Sequence, residues 1–304
     1  MRDIVVVGSL NVDVSVRGTH IPRPGETVRA SQLTLGPGGK GLNQAIAASR
    51  LGARVHMLGR IGEDRFADVP EATLREAGVD ASHVRRVAGQ HTGTALIVVD
   101  AQSGENTIAV AAGANRELSP EDVRDGIAAF RASGVLMVQL ELPLETVEAA
   151  LDLARENALV TLLDPAPVLE LSDTFLRKVD VLTPNESEAE RLTGIHVRDP
   201  ETAAEAGAQL RERTGGDVLI TLGEAGCVWV WPTGLEHVPT PRVDAIDTTA
   251  AGDAFNAGLA VGLARGESIA RALRLAVRAG AAATLRRGAA AAMPTPEQLA
   301  ALPD

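Results

Sequence analysis

A wound α/β fold built on a mostly parallel central sheet is the class this sequence predicts, and two observations predict it. Short β-branched runs alternate with longer Ala- and Leu-rich segments of helical period, a rhythm that implies parallel strands joined by helical crossovers. The strand runs are also apolar throughout rather than alternating, as expected of strands covered on both faces. Apolar residues make up 45% of the 304, ample for a large core, and a charged fraction of 23% is ordinary for a soluble globular chain. By length alone about two domains of ~150 residues would fit, although α/β chains of this size often form one.

In chain order, IVVVG (4–8) opens the sheet, an Ala-rich helix follows from Leu42 to Leu51, and RVHMLG (54–59) is the next strand. VLMVQL (135–140), the helix ETVEAALDLARENA (145–158), LVTLLD (159–164) and VDVLTP (179–184) continue the pattern. A helix to about Leu192, the helix AAEAGAQLRERTG (203–215) and the strand DVLITLG (217–223) extend it. Two regions break the rhythm, 12–35 and 91–112, the second with the turn SGEN between two β-rich runs. In NVDVSV the valines 12, 14 and 16 share one face, and Asn11, Asp13 and Ser15 the other. These two regions read as a small extra sheet beside the main one.

Composition narrows the function. Lys plus Arg number 29 against 40 Asp plus Glu, a net charge of −11 that repels phosphate backbones, and no basic face is segregated, so no nucleic-acid partner is expected. No run of ~18 apolar residues suggests a membrane span. The amino terminus lacks the features of a signal peptide. The single cysteine, Cys227, lies in the apolar run CVWVW and fits a reduced compartment, so a cytoplasmic location is expected. The six histidines show no paired ligand spacing, and no GxSxG elbow occurs.

Four segments carry chemistry. GPGGKGLNQ (36–44) contains Gly36-x-Gly38-x-x-Gly41, formally a dinucleotide fingerprint, but it follows no core strand, and Lys40 is followed by Gly41, not by Ser or Thr as in a Walker A loop. It is either a glycine-rich helix entry or bare backbone that approaches a polyhydroxyl or anionic ligand, with Lys40 and Asn43 beside it. In TPNESEAERLTG (183–194), Asn185 and Glu188 have capping-box spacing, and could equally order a hydrated Mg²⁺ at a strand's carboxyl end. TLGEAG (221–226) is a turn whose backbone and Thr221 could lie along a nucleotide phosphate.

The fourth, DTTAAGDAFN (247–256), places Asp253 where small residues lead into a helix. Free N–H groups of residues 250–253 make that helix start an anion site. A carboxylate there is either a dipole partner or a base beside a transferring phosphoryl group.

Together these motifs, with GSLNVD, PGETV (24–28), GANRELSP (113–120) and QLELPLE (139–145), resemble the ribokinase (phosphofructokinase-B type) family of carbohydrate kinases over essentially the whole chain. The resemblance implies one domain, 1–304, a three-layer α/β/α sandwich with a β-sheet lid from about 12–37 and 91–112. It implies ATP-dependent phosphorylation of the 5-hydroxyl of D-ribose, with Asp253 as catalytic base and Ala250, Ala251 and Gly252 as the anion hole. It assigns ribose contacts to Asn11, Asp13, Gly39, Lys40, Asn43 and Glu141, with Asp253 also touching the sugar. Asn185, Thr221, Gly223 and Gly226 are implied to bind the nucleotide, and Asn185 with Glu188 to hold Mg²⁺. Asp247 is implied to ligate K⁺ with carbonyls of Thr249, Ala283, Arg286 and Gly288, while Ala292 stands where a side-chain oxygen often contributes. A homodimer through the lid is implied as well. A related sugar or nucleoside kinase, an NAD-dependent oxidoreductase built on the fingerprint, and a sugar-sensing protein without catalysis are the alternatives.

Overall fold

The computed structural model describes residues 1–303. Its thirteen strands are β1 (Asp3–Val7), β2 (Asn11–Gly18), β3 (Ala30–Gly38), β4 (Val55–Gly62), β5 (Asp80–Val87), β6 (Gly93–Asp100) and β7 (Asn106–Ala111), then β8 (Ser133–Gln139), β9 (Val160–Asp164), β10 (Val181–Leu182), β11 (Asp217–Thr221), β12 (Cys227–Trp231) and β13 (Gly234–Val238). The helices are α1 (Lys40–Arg50), α2 (Asp68–Glu76), α3 (Pro120–Asp125), α4 (Ile127–Ala132), α5 (Leu144–Glu156) and α6 (Asp173–Leu176), then α7 (Glu186–Thr193), α8 (Pro200–Thr214), α9 (Ala251–Ala264), α10 (Ile269–Ala283) and α11 (Pro296–Ala300). Among the described residues no helix is long and apolar enough to cross a membrane.

The large sheet runs β13-β12-β11-β10-β9-β8-β1-β4-β5. It is parallel from β11 to β5 and antiparallel where β12 and β13 fold back as a hairpin at one edge. The continuously apolar strands β1 and β8 are buried on both faces. Ile4 and Val6 point into one core, Val5 and Val7 into the other. Helices α1, α9 and α10 cover the first face and α5 and α8 the second, so the three-layer sandwich expected from the sequence is the observed fold. Strand β12 departs from the crossover rhythm and returns antiparallel to β11 because only five residues separate the two, too few for the dozen or more a parallel crossover requires, and Gly223 and Gly226 both adopt positive φ in that turn.

A second sheet of four strands, β3-β2-β6-β7, stands apart from the first. Register places Val14 beside Leu35 and Leu96, and Val16 beside Leu33 and Val98, on one face. Asp13 and Ala95 lie on the other. Strand β2 leaves the end of β1 after three residues, which delivers Asn11 and Asp13 to the carboxyl edge of the large sheet.

Candidate active site

The carboxyl ends of the parallel strands meet the first turns of two helices. Helix α1 can begin there because its first turn presses on β1: a Cβ on Gly41 would lie 2.6 Å from both Gly8 Cα and Ser9 N. Gly39 precedes it with φ 93°, a left-handed conformation that glycine adopts without strain. The glycines of 36–41 therefore serve close backbone packing. Gly36 and Gly38 lie on β3 of the small sheet, not between a core strand and a helix, and this removes the structural basis of the dinucleotide fingerprint and of the oxidoreductase alternative.

That packing carries Lys40, Asn43 and Gln44 to the start of α9. Asn43 donates through Nδ2 to Asp253 Oδ2 at 2.9 Å, and Gln44 donates through Nε2 to Asp253 Oδ1 at 3.1 Å. The Lys40 ammonium lies 3.1 Å from Asp164 Oδ2 and 3.9 Å from Asp253 Oδ1. Asp253 is 4% exposed. Burial pushes its carboxyl up to about 7, with Asp164 adding to the rise and Lys40, Asn43 and Gln44 opposing it. Burial acts to neutralise Lys40, but Asp164, Asp253, Glu188 and Glu141 outweigh it and hold the ammonium charged.

Helix α9 starts one residue later than the sequence pattern implied. Ala250 is its N-cap, in the left-handed region at φ 58° and ψ 18°. Ala251 donates its N–H to the Thr248 carbonyl at 3.2 Å, so the expected set of four free N–H groups is reduced. Those of Ala250, Gly252 and Asp253 have no acceptor among the described residues, and face outward as a helix start requires.

Asn11, Asp13 and Glu141 lie on the neighbouring rim. Asn11 accepts from Asn115 Nδ2 at 2.7 Å, Glu141 accepts from the Lys40 N–H at 3.1 Å and from the Ser9 hydroxyl. Burial, then the charge of Glu141, raises Asp13 to about 6. Asn43 Oδ1 is buried and accepts no hydrogen bond among the described residues.

Asn185 caps α7: its Oδ1 accepts from the Glu188 N–H, and its own N–H donates to Glu188 Oε2, both at 2.9 Å. The capping reading is thus realised. It occupies Asn185 Oδ1, which also accepts from Ser187, but leaves Glu188 Oε1 without a donor among the described residues. Burial and then Asp164 raise Glu188 above its ordinary range, a congestion of negative charge that a hydrated divalent cation would relieve, so these residues fit one. Thr221 bridges to Asn185, which sets the turn Gly223–Gly226 beside it. A Cβ on Gly226 would overlap the Val238 carbonyl.

Asp247 stands apart from Asp253. Its Oδ1 accepts from the Thr249 N–H at 3.0 Å and the Thr249 hydroxyl at 2.6 Å, and its Oδ2 from the Gly288 N–H at 2.9 Å. Burial opposes ionisation there, yet Gly288, Thr249 and Arg287 hold the carboxyl below its usual range. The Asx-type turn is therefore present. The carbonyls of Thr249, Ala283, Arg286 and Gly288 accept no hydrogen bond among the described residues, and of these four residues Thr249 and Gly288 contact the Asp247 carboxylate, so an anion with free carbonyls beside it in the chain is chemically compatible with a monovalent cation. Ala292, 1% exposed, adds no side-chain oxygen.

Sequence reasoning passed over Ser9, Gln44, Asn115, Gln139 and Asp164. Asp164 and Gln139 end their strands, the positions at which polar residues in a wound sheet are informative, and Gln44 is the last residue of GPGGKGLNQ. Asn115 lies in GANRELSP (113–120), but only folding brings it to Asn11.

Against known families, residues 1–296 match the model of the pfkB family carbohydrate kinases. A ribokinase of Haemophilus influenzae is 39% identical over 298 residues, 98% of this chain and 97% of that one. A deoxyribokinase of Salmonella typhi is 36% identical over 297 residues, 97% of each chain. Among solved structures, Arabidopsis thaliana ribokinase complexed with ribose and ATP superposes with a TM-score of 0.91 at 30% identity, over 98% of this chain and 97% of that one.

Proposed function

The chain belongs to the pfkB family of carbohydrate kinases, and from that premise we propose that it transfers the γ-phosphoryl group of ATP to the 5-hydroxyl of D-ribose, with Asp253 as the general base. One observation carries the reading: a buried carboxylate, held by Asn43, Gln44 and Lys40, sits in the first turn of α9 beside outward-facing N–H groups. Asp253 accepts the proton of the attacking hydroxyl, while the N–H groups of Ala250, Gly252 and Asp253 stabilise charge on the phosphoryl oxygens in flight. Ala251 supplies the turn rather than a donor.

Asn11, Asp13, Gly39, Lys40, Asn43 and Glu141 bind the sugar. Hydroxyls need both donors and acceptors, and this set offers the amide of Asn11, the unpartnered Asn43 Oδ1 and two carboxylates. Asn185, Thr221, Gly223 and Gly226 line the nucleotide. Mg²⁺ held through water by Asn185 and Glu188 neutralises phosphate charge when bound. Asp247, Thr249, Ala283, Arg286 and Gly288 would hold K⁺, which would supply positive charge behind the anion hole. The small sheet closes over the sugar as a lid and excludes water. Its opposite face exposes Leu33 (63%), Leu35 (54%) and Leu96 (55%) together, the apolar surface for a homodimer. The whole chain, 1–304, works as one domain in the cytoplasm.

The similarity to a deoxyribokinase makes 2-deoxyribose the competing acceptor. ADP release across ribose, 2-deoxyribose, hexoses and nucleosides separates the two. The proposal expects the highest kcat/KM on ribose, and release confined to another acceptor overturns it.

A further inference from the structure

Two glutamines connect the base to the interior of the sheet. Gln44, fully buried on α1, spends its Nε2 on two carboxylates, Asp164 Oδ2 at 2.9 Å and Asp253 Oδ1 at 3.1 Å. Both acceptors lack protons to give when ionised, so the amide nitrogen must face them and Oε1 must face the opposite way. There it accepts from Gln139 Nε2 at 2.7 Å. Gln139, fully buried at the end of β8, has its own Oε1 without a partner, packed against Gly8 where any Cβ would collide with it. The Gln139 amide thus faces Gln44 with its nitrogen although this leaves its own buried oxygen unpaired.

We propose that Gln44 is a positioning residue for the phosphoryl-transfer step, that it orients the Asp253 carboxylate and separates it from Asp164, and that Gln139 locks the Gln44 amide in the donating orientation. The inference rests on the reading of Asp253 as the base. Neither glutamine belongs to the sugar or nucleotide surface. The charged groups facing Asp253 are Lys40 from α1 and Asp164 from β9, and Glu188 and Glu141 act on it through Lys40. Removing the Gln44 donor leaves two carboxylates competing for one ammonium, so ionisation of Asp253 becomes harder and Gln44 loss raises the pH at which the base is available.

The test is the pH dependence of ADP release by Gln44→Leu and Gln139→Leu, with thermal unfolding and ribose binding measured on the same preparations. Both variants are expected to move the acid limb of kcat/KM upward, Gln44→Leu by about one pH unit and Gln139→Leu by less. At pH 7 kcat falls about fivefold for Gln44→Leu, recovers in large part at pH 9, and the ribose dissociation constant stays within about twofold. A loss caused by packing alone lowers activity equally at every pH. Folded variants whose acid limb coincides with wild type overturn the positioning role. Asp253→Asn, assayed in parallel, separates the two claims: near-normal turnover there removes the base assignment itself, whereas an inactive Asp253→Asn with unshifted glutamine variants removes only this inference. Should Gln44→Leu not fold, Gln139→Leu, which leaves every carboxylate contact in place, decides the matter alone.

Discussion

Ala250 shows how one dihedral angle sets the start of α9, where the anion hole is proposed. With φ 58° it turns the chain so that the next residues begin α9, and an L-residue there costs about 1–2 kcal/mol relative to the right-handed region. Ala250→Gly relieves that strain but loosens the unfolded chain, an opposing effect of about 0.4–1 kcal/mol. The expected net result is a stabilisation of up to about 1 kcal/mol, seen as a higher Tm with turnover retained. Asp253 makes a second prediction at this scale. A base works only when ionised, and a carboxyl raised to about 7 is protonated below that pH. kcat/KM should therefore rise with unit slope as pH increases through about 7, then level off, with no dependence near the ordinary carboxylate range of about 4. The sequence located Asp253 and the small residues before it. It did not show the raised pKa, because that depends first on the burial of Asp253 and then on Asp164, 89 positions away in sequence and brought near through Lys40 and Gln44.

Helix starts carry most of the chemistry, and each is built differently. Helix α7 has a full capping box, so Asn185→Ala should cost about 1 kcal/mol of stability in addition to any loss of nucleotide affinity, whereas Asn185→Asp keeps the cap. Comparison of denaturant midpoints for the two separates structure from binding. Helix α1 has no side-chain cap and depends on contact with β1. Gly41→Ala should cost about 1–3 kcal/mol, because backbone at 2.6 Å must move. Gly36→Ala, with nothing within 4 Å of the added carbon, should leave stability nearly unchanged. A true dinucleotide fingerprint would need both glycines. This asymmetry explains why the motif was ambiguous in the sequence: identical letters perform a close approach at one position and lie on a strand of the small sheet at another. Elements with continuous apolar runs, such as β1, β8 and β9, were legible within a residue or two. Strand β10 shrinks to two residues, because VDVLTP is consumed largely by the approach to the α7 cap, and the β12–β13 hairpin escaped a reading tuned to crossovers.

At the scale of the whole molecule, two sheets with different surfaces divide the work. The large sheet is sealed on both faces and presents only its carboxyl edge, where Gln139, Asp164, Asn185 and Thr221 gather with the starts of α1 and α9. The small sheet offers polar residues to that edge and Leu33, Leu35 and Leu96 to solvent. Leu35→Glu combined with Leu96→Glu should convert a dimer into a monomer in sedimentation velocity, and a wild-type protein that sediments as a monomer contradicts the proposed interface. The alternation of NVDVSV made this two-sidedness visible from the start, and 91–112 was read into the same small sheet; that β2 and β6 are direct parallel neighbours was not legible, since parallel partners leave no turn between them. The central claim concerns the point where all these parts converge. It is tested most directly by ADP release from Asp253→Asn on D-ribose, with ribose binding confirmed by calorimetry: a fall of about 10²- to 10⁴-fold in kcat with binding retained is predicted, and turnover close to wild type would contradict it.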